Sequence, residues 1–182
     1  MEIEVKAKLD DLEEVKKKLL DLGAEFSIIK QQDDLFFKPK GREMEDTVPG
    51  STLVRIRNQE EKSFLTMKEM TETSGVWGEH ETEISNPDET KSILLKMGYS
   101  YLFDLNKKRE HGKIGELNLC LDDVKQLGKY LEVEIIGDNP EEGKKKILEL
   151  FERIGIKEEQ IEHKGYARII FENMGVQFKG VK

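Results

Sequence analysis

The chain begins with a strand-like segment whose two faces differ in chemistry. In Glu2-Ile3-Glu4-Val5-Lys6, alternate positions place the charged residues on one face and the aliphatic residues on the other. Related segments recur along the chain, and several of them show the same alternation: Arg55-Ile56-Arg57, Leu65-Thr66-Met67-Lys68, Glu81-Thr82-Glu83-Ile84, Lys107-Lys108-Arg109, Leu119-Cys120-Leu121-Asp122 and Leu131-Glu132-Val133-Glu134-Ile135. A sheet built from such strands must bury its aliphatic face and compensate the charges of the other. This pattern therefore restricts the fold more than any other feature of the chain.

The length and charge of the chain favour one acidic domain. Its 182 residues suffice for one hydrophobic core, and we expect a single domain over residues 1–175 followed by a loose tail at 176–182. The net charge of −8 disfavours nucleic acid as a partner, because nucleic-acid-binding proteins usually carry a basic surface.

The sequence also indicates the cellular setting. Cys120 is the one cysteine, which excludes an intramolecular disulfide and favours a reducing compartment. No apolar run approaches the roughly 18 residues of a membrane span, and the N-terminal segment lacks the apolar stretch of a signal peptide. We therefore expect a cytoplasmic protein with no membrane partner, whose mature chain begins at the first strand.

Capping residues with apolar stripes predict helices, and alternation predicts strands. The predicted helices start at Asp10 or Asp11, at Asn86-Pro87, at Asn139-Pro140 and within 157–173, and the first three end at Gly23, Gly98 and Gly155. The predicted strands are 25–38 (one strand or two), a hairpin of Thr52 to Gln59 and Ser63 to Met70, and the segments 76–84, 101–110, 114–123 and 129–136. Residues 38–51 are predicted to be a mobile loop that acts as a lid, Thr71 to Gly75 a turn, and Gly143 a local weakness of its helix.

Two arrangements fit this layout. The aliphatic faces can fill a barrel or sandwich core while the charges meet solvent, which is the usual partition. Alternatively, the helices cover the aliphatic faces from outside and the charged faces meet in a lumen. The predicted helices carry apolar stripes that need burial, and this favours the second arrangement.

Enclosed charges must be compensated, because an isolated buried ion is costly. Arginine and lysine in pairs suit phosphate oxygens, whereas clustered Asp and Glu suit hard cations such as Mg²⁺ or Mn²⁺. A polyphosphate chelated to a metal ion would satisfy both sets, and a purely structural ion-pair network is the alternative. The basic set is Lys6, Arg55, Arg57, Lys68, Lys107 and Arg109, and the acidic set is Glu2, Glu4, Glu81, Glu83, Asp122, Glu132 and Glu134.

The ordered series of these segments resembles a known family. Glu2-Ile3-Glu4-Val5-Lys6 matches the ExExK signature of the CYTH superfamily, the triphosphate tunnel metalloenzymes. The resemblance continues through the segments quoted above and through Leu127-Gly128-Lys129-Tyr130-Leu131-Glu132-Val133-Glu134, which is most similar to the class IV adenylyl cyclase (CyaB-like) group. It implies an α+β fold, in which a closed antiparallel eight-stranded β-barrel forms a triphosphate tunnel with helices packed outside.

The resemblance also implies roles for individual residues. By position, the triphosphate ligands would be Lys6, Arg55, Arg57, Lys68, Lys107 and Arg109. The ligands of Mg²⁺ or Mn²⁺ would be Glu2, Glu4, Asp122, Glu132 and Glu134, with Glu81 and Glu83 as acidic support. Among these, Glu4, Lys6 and Glu134 would be catalytic, and the resemblance also allows a homodimer.

Three functions are compatible with the sequence. In the cyclase interpretation, the ribose 3′-hydroxyl of ATP attacks the α-phosphorus, and cyclic AMP and pyrophosphate form. In the triphosphatase interpretation, water attacks the γ-phosphorus of inorganic triphosphate, thiamine triphosphate or a nucleotide. The third is a module that binds polyphosphate or nucleotide without turnover, which the complete acidic set disfavours because capture needs only cations.

The remaining distinctive residues are interpreted as structural. Cys120 has no partner histidine nearby in the sequence, and we expect His80, His111 and His163 to be solvated. The aromatic residues expected to pack rather than to stack on a base are Phe36, Phe37, Tyr99, Tyr101 and Phe103, and Tyr166 is expected near a tunnel mouth. Adenine recognition therefore has no clear candidate in the sequence.

Overall fold

The computed structural model describes residues 2–43, 50–70 and 77–175, with Glu2 and Trp77 described by their backbone alone. The strands are β1 (Glu2–Leu9), β2 (Glu25–Pro39), β3 (Thr52–Gln59), β4 (Lys62–Met70), β5 (Trp77–Ile84), β6 (Tyr99–Ile114), β7 (Leu117–Val124), β8 (Gly128–Ile136) and β9 (Ile161–Glu162). The helices are α1 (Leu12–Asp21), α2 (Pro87–Lys96), α3 (Pro140–Ile154) and α4 (Tyr166–Asn173), and a 3₁₀ turn covers Glu158–Gln160.

The strands form an α+β fold with an antiparallel sheet. Hydrogen-bonded neighbours follow the order β5-β4-β3-β2-β6-β7-β8-β1-β9. The sheet therefore has nine strands within the described ranges, one more than the predicted eight, because the two-residue β9 pairs with β1. No pairing among the described residues joins β5 to β9, so closure into a barrel stays a prediction.

Two compact units make up the chain. The first comprises residues 1–30 and 107–166, and the second comprises the described residues of 31–106 and 167–182. The long strands β2 and β6, of 15 and 16 residues, contribute to both units. Each unit is described by itself below.

Helices α1 and α3 cover the aliphatic face of the first unit. Leu19 of α1 and Ile147 and Phe151 of α3 are fully or almost fully buried against Ala7 of β1 and Val133 of β8. The predicted caps are present: the Asp11 carboxylate accepts the backbone N–H of residue 13 at 2.8 Å, and proline follows the Asn139 cap of α3. In this unit the helices thus pack on the side of the strands opposite the charged residues, as predicted.

Gly143 is not the helix weakness expected from its propensity. A Cβ atom at this position would lie 2.4 Å from Ile3 Cδ1 and 3.0 Å from Ile135 Cγ2. Glycine therefore lets α3 approach β1 and β8 closely. The packing contact outweighs the local preference for a residue with a side chain.

The second unit repeats the same partition. Phe37 of β2, Val54 and Ile56 of β3 and Leu94 of α2 form its buried cluster. The cap at Asn86 accepts the backbone N–H of Glu89 at 3.0 Å and fixes the start of α2, as the sequence predicts. Arg55 and Arg57 of β3 and Thr66 and Lys68 of β4 lie on the face opposite this cluster.

Several element bounds differ from the prediction. Strand β2 continues through Pro39, so the predicted loop at 38–51 starts later than expected. Residues 44–49 of this loop lie outside the described ranges, so its function as a lid stays a prediction. The predicted turn of Thr71 to Gly75 and the tail 176–182 also lie outside them. None of the described helices has the length and apolarity needed to cross a bilayer.

Candidate functional site

Strand register in the first unit aligns charged side chains in rows across the sheet. Lys6 of β1 lies opposite Glu132 of β8, Glu132 lies opposite Cys120 of β7, and Cys120 lies opposite His111 of β6. Residues paired in this way project to the same face. The two adjacent rows are Glu4–Glu134–Asn118 and Lys8–Tyr130–Asp122–Arg109.

A two-pronged ion pair lies at the centre of this face. Arg109 donates from Nε to Asp122 Oδ1 at 2.6 Å and from Nη2 to Asp122 Oδ2 at 2.5 Å. Asp122 is 0% exposed and Arg109 is 7% exposed. Burial alone would lower the pKa of Arg109, but the charges of Glu132 and Asp122 raise it well above its ordinary value. The guanidinium therefore stays charged and fixed in direction.

Glu132 lies between two cations. It accepts from Arg109 Nη2 at 2.8 Å, and its other oxygen is 3.2 Å from Lys6 Nζ. Burial alone would raise the pKa of Glu132, but Arg109, Lys6 and Lys107 together hold it well below its ordinary value. A buried carboxylate thus stays ionised beside Lys6 and Arg109, two of the predicted phosphate ligands.

Two further carboxylates, Glu4 and Glu134, lie one row nearer the N-terminal end of β1. Glu4 lies opposite Glu134 in the sheet register and contacts Lys6. One potential ligand atom from each of Cys120, Glu132 and Glu134 lies within 4.8 Å of the other two. The side chain of Glu2, a predicted metal ligand, lies outside the described part of the structure.

Tyr166 belongs to this cluster, although the sequence suggested only a position near a tunnel mouth. Its hydroxyl donates to Asp122 Oδ2 at 2.8 Å, and its ring centroid lies 5.3 Å from Lys6 Nζ and 5.2 Å from Lys107 Nζ. Burial and the charges of Asp122 and Glu132 raise the pKa of Tyr166 well above its ordinary value, so the hydroxyl remains a donor. No spacing pattern in the sequence signals this contact.

The second unit contains another two-pronged ion pair between an arginine and an aspartate, which we call the Arg57 fork. Arg57 of β3 donates to Asp34 of β2 from Nε at 2.7 Å and from Nη2 at 2.8 Å, and the register pairs the two residues directly. Asp34 is buried and was not among the predicted site residues. Alternation along β2 predicts that Asp34 shares a face with Phe36, but only the register shows that this is the face of Arg55 and Arg57, so the sequence held no direct signal for the contact.

The other predicted residues of the second unit form a connected network. Arg55 Nη2 donates to Thr66 Oγ1 at 3.1 Å and to Glu81 Oε2 at 3.3 Å, and Lys68 Nζ lies 2.7 Å from Glu79. Burial, followed by the nearby charge of Arg57, lowers the pKa of Arg55. Its buried Nε has no acceptor among the described residues.

Glu81 and Glu83, predicted as acidic support, have different environments. Glu81 accepts from Thr66 at 2.7 Å and pairs with Arg55. Glu83 pairs instead with Lys62 at 2.9 Å, where both side chains are more than half exposed. The structure brings Glu81 into the network and leaves Glu83 at its exposed margin.

The donor set of the first unit fits a hard divalent cation. Glu4, Glu132 and Glu134 offer carboxylate oxygens, which Mg²⁺ and Mn²⁺ prefer. Cys120 is the soft member of the group, and a thiol is not a ligand that these hard cations prefer; burial also raises its pKa to about 12. The carboxylates of β1 and β8, together with Asp122 of β7, are therefore the ligands to consider.

The aromatic residues of the second unit pack with one another, as predicted. The Phe36 and Phe103 rings stack with centroids 5.1 Å apart, and Phe103 contacts Phe171 edge-on at 5.0 Å. All three side chains are buried.

Comparisons with known proteins agree on one family. A family model described as the CYTH domain matches residues 1–166. A protein of Methanocaldococcus jannaschii, named as a candidate adenylate cyclase, is 29% identical over 174 residues, which are 93% of this chain and 98% of that protein. The solved structure of the PH1012 protein from Pyrococcus horikoshii OT3 is 33% identical, with a TM-score of 0.79 over 92% of this chain and 98% of that one. A Hippeastrum protein described as a candidate adenylyl cyclase with a dominant triphosphatase activity shares the fold, with a TM-score of 0.66 and 22% identity over 98% of both chains.

Proposed function

Because the chain belongs to the CYTH domain family, we propose that it is a metal-dependent enzyme that acts on a triphosphate, and that it converts ATP to cyclic AMP and pyrophosphate. The observation that carries this proposal is the buried polar face of the first unit. There Lys6, Lys107 and Arg109 lie beside ionised Glu132 on the face opposite helices α1 and α3. Such a face suits an anionic substrate that arrives with a cation.

The cations are assigned to phosphate oxygens. In the first unit these are Lys6, Lys107 and Arg109, and in the second Arg55, Arg57 and Lys68. The guanidinium of Arg109 is oriented by Asp122, and the ammonium groups of Lys6 and Lys107 are positioned by the Tyr166 ring. Because these cations are held in direction before the substrate binds, little entropy is lost in ordering their side chains on binding.

The carboxylates are assigned to the divalent cation, as Mg²⁺ or Mn²⁺. Its proposed ligands are Glu2, Glu4, Asp122, Glu132 and Glu134. When bound, such a cation neutralises charge on the phosphate oxygens. In the proposed reaction the ribose 3′-hydroxyl loses its proton to solvent and its oxygen forms a bond to the α-phosphorus, while the bond from that phosphorus to the α,β-bridging oxygen breaks and pyrophosphate leaves. Lys6 faces the charge that develops, and Glu4 and Glu134 complete the catalytic set.

Hydrolysis of a triphosphate is the second candidate. The packing of Phe36, Phe103 and Phe171 favours it, because these buried rings engage one another and offer no stacking platform for adenine. In this reaction water forms a bond to the γ-phosphorus and loses a proton to solvent, the bond from that phosphorus to the β,γ-bridging oxygen breaks, and orthophosphate and the remaining diphosphate leave; the same cations hold the substrate. The two candidates share a bound state and differ in the phosphorus atom attacked.

Product analysis distinguishes the candidates. The purified protein is incubated with ATP and, separately, with inorganic triphosphate, each with Mg²⁺ or Mn²⁺, and the products are separated by ion-exchange chromatography. Cyclic AMP with pyrophosphate establishes the cyclase, whereas orthophosphate without cyclic AMP establishes the triphosphatase. Tight binding with no product in either reaction would contradict both and indicate a binding module.

A matched pair of variants tests the acidic assignment. We expect Glu134→Gln to abolish metal-dependent turnover, because the substitution removes a hard ligand and little volume. Glu149→Gln, on the exposed surface of α3, should leave turnover unchanged. Normal metal-dependent kinetics in Glu134→Gln would remove residue 134 from the site.

The finer predictions from the sequence belong to this proposal. They are the closed eight-stranded barrel with its tunnel, the single domain over residues 1–175, the cytoplasmic location and a homodimer.

A further inference from the structure

A buried glutamine of the second unit has an unused hydrogen-bonding atom. Gln32 of β2 is 2% exposed, and its Nε2 donates to Gln59 Oε1 of β3 at 2.6 Å. Its own Oε1 is buried and has no partner among the described residues. Buried side-chain oxygens of this kind nearly always accept a hydrogen bond. With the Arg55 Nε, it is one of two buried side-chain atoms in the described ranges that have no partner, and it is the acceptor of the two, so it is a candidate ligand contact.

The position of Gln32 relates it to the proposed phosphate ligands. The register pairs Gln32 with Gln59, and the next pair on the same face is Asp34 with Arg57. Two residues along a strand correspond to about 7 Å. The amide pair is therefore one row beyond the Arg57 fork.

The chemistry changes between these two rows. Arg57 is charged and suits a phosphate, whereas the Gln32 and Gln59 side chains are neutral amides. A carboxamide oxygen accepts from N–H or O–H groups, such as a base amine or a sugar hydroxyl, and gains little from an anion. The row beyond the cations thus suits the uncharged part of a molecule whose phosphates lie at the arginines.

We infer that Gln32, oriented by Gln59, recognises the nucleoside portion of the triphosphate substrate by accepting a hydrogen bond from its base amine or a ribose hydroxyl. This inference rests on the proposed function and adds a specificity residue to it. It supplies the base or sugar contact that the aromatic residues do not provide.

Binding measurements test the inference without relying on turnover. Isothermal titration calorimetry with Mg²⁺ on the full chain compares inorganic triphosphate with an ATP analogue whose α,β- and β,γ-bridging oxygens are both replaced by methylene groups. The variant Gln32→Leu is compared with Gln31→Leu, whose side chain is exposed on the opposite face and donates to Asp33 at 3.2 Å. Gln32→Met serves if the leucine variant does not fold. The matching inosine and 2′-deoxyadenosine analogues distinguish the base amine from the 2′-hydroxyl, and a 3′-deoxy analogue tests the remaining hydroxyl.

The expected result is selective loss of nucleotide affinity. Gln32→Leu should bind the ATP analogue about tenfold more weakly, the loss expected for one buried hydrogen bond, and bind inorganic triphosphate within about twofold of the original chain. One of the three altered analogues should bind the original chain as weakly as the variant binds the ATP analogue. Gln31→Leu should change neither affinity.

Four results would overturn the inference. Equal weakening for both ligands would give Gln32 a structural role, and unchanged affinities would mean that its oxygen has no ligand. If the original chain bound the ATP analogue no more tightly than inorganic triphosphate, the inference of nucleoside recognition would be refuted, whereas the proposal of triphosphate binding would be retained. Binding of neither ligand would refute the proposed function as well.

Discussion

Removing the charge of Asp122 should destabilise the first unit strongly. In Asp122→Asn the side chain keeps its shape and one oxygen, but its amide group would face the donors Arg109 and Tyr166. The carboxylate now accepts at 2.5 and 2.6 Å from Arg109 and at 2.8 Å from Tyr166, and it is 0% exposed. Breaking one partner of such a buried pair costs about 3–5 kcal/mol. Arg109 retains Glu132 at 2.8 Å, so we expect a loss at the lower end, about 3 kcal/mol.

The assay is urea unfolding followed by circular dichroism, in EDTA so that no divalent cation contributes. With a slope of about 3 kcal/mol per molar urea, the expected loss lowers the midpoint by about 1 M. Asp123→Asn is the matched control, because Asp123 is exposed and lies opposite Lys108 in the register. It should change the free energy of unfolding by no more than about 0.5 kcal/mol.

Two outcomes would refute this reasoning. A loss below about 1 kcal/mol in Asp122→Asn would mean that the fork is as weak as a solvent-exposed pair. Equal losses in the two variants would mean that the effect reflects net charge and not the buried contact. A changed slope would indicate an altered unfolded state rather than a lost interaction.

The remaining predictions concern affinity, packing and pH. Arg57→Ala should weaken triphosphate binding by at least about tenfold in calorimetry, because a charged two-pronged contact is lost; unchanged affinity would contradict its assignment. Gly112→Ala should lower the free energy of unfolding by about 1–3 kcal/mol in urea, since its Cβ would lie 2.5 Å from the Phe26 ring, whereas Gly165→Ala has open space and should not. Burial and a hydrogen-bonded carboxylate raise the pKa of Tyr101 to about 12. The protonated Tyr101 hydroxyl should stabilise the folded state fully below pH 10, the ordinary pKa of tyrosine, and this stabilisation should be lost as the pH rises through 12. An absorbance titration at high pH that is unchanged in Tyr101→Phe would contradict this.

The faces of the strands were predictable because they depend on alternation alone. Parity placed Lys6 and Glu132 on one side of the sheet, and the apolar stripes of the helices indicated which side they would cover. Caps at Asp11, Asn86 and Asn139 were equally local, and all three are confirmed. These features need no knowledge of which strands are neighbours.

Partners across strands were not predictable in the same way. Asp34 meets Arg57, and Tyr166 meets Asp122, only because separate segments are brought into register. The environment of Gly143 depends likewise on the approach of α3 to β1, which helix propensity does not describe. The sequence therefore predicts well which side chains share a face of the sheet, and predicts poorly which side chains contact each other across strands or between elements.

The cations on the polar face of the first unit are already paired with carboxylates of the same face before any substrate binds. Arg109 already has the carboxylates of Asp122 and Glu132 as resident counter-ions, and Lys6 has those of Glu4 and Glu132. An incoming anion must displace them, so it gains only the difference between its own attraction and theirs. Each displaced carboxylate then needs another positive partner, which a divalent cation provides. The anion and the divalent cation are thus expected to bind cooperatively, so that each raises the affinity of the protein for the other.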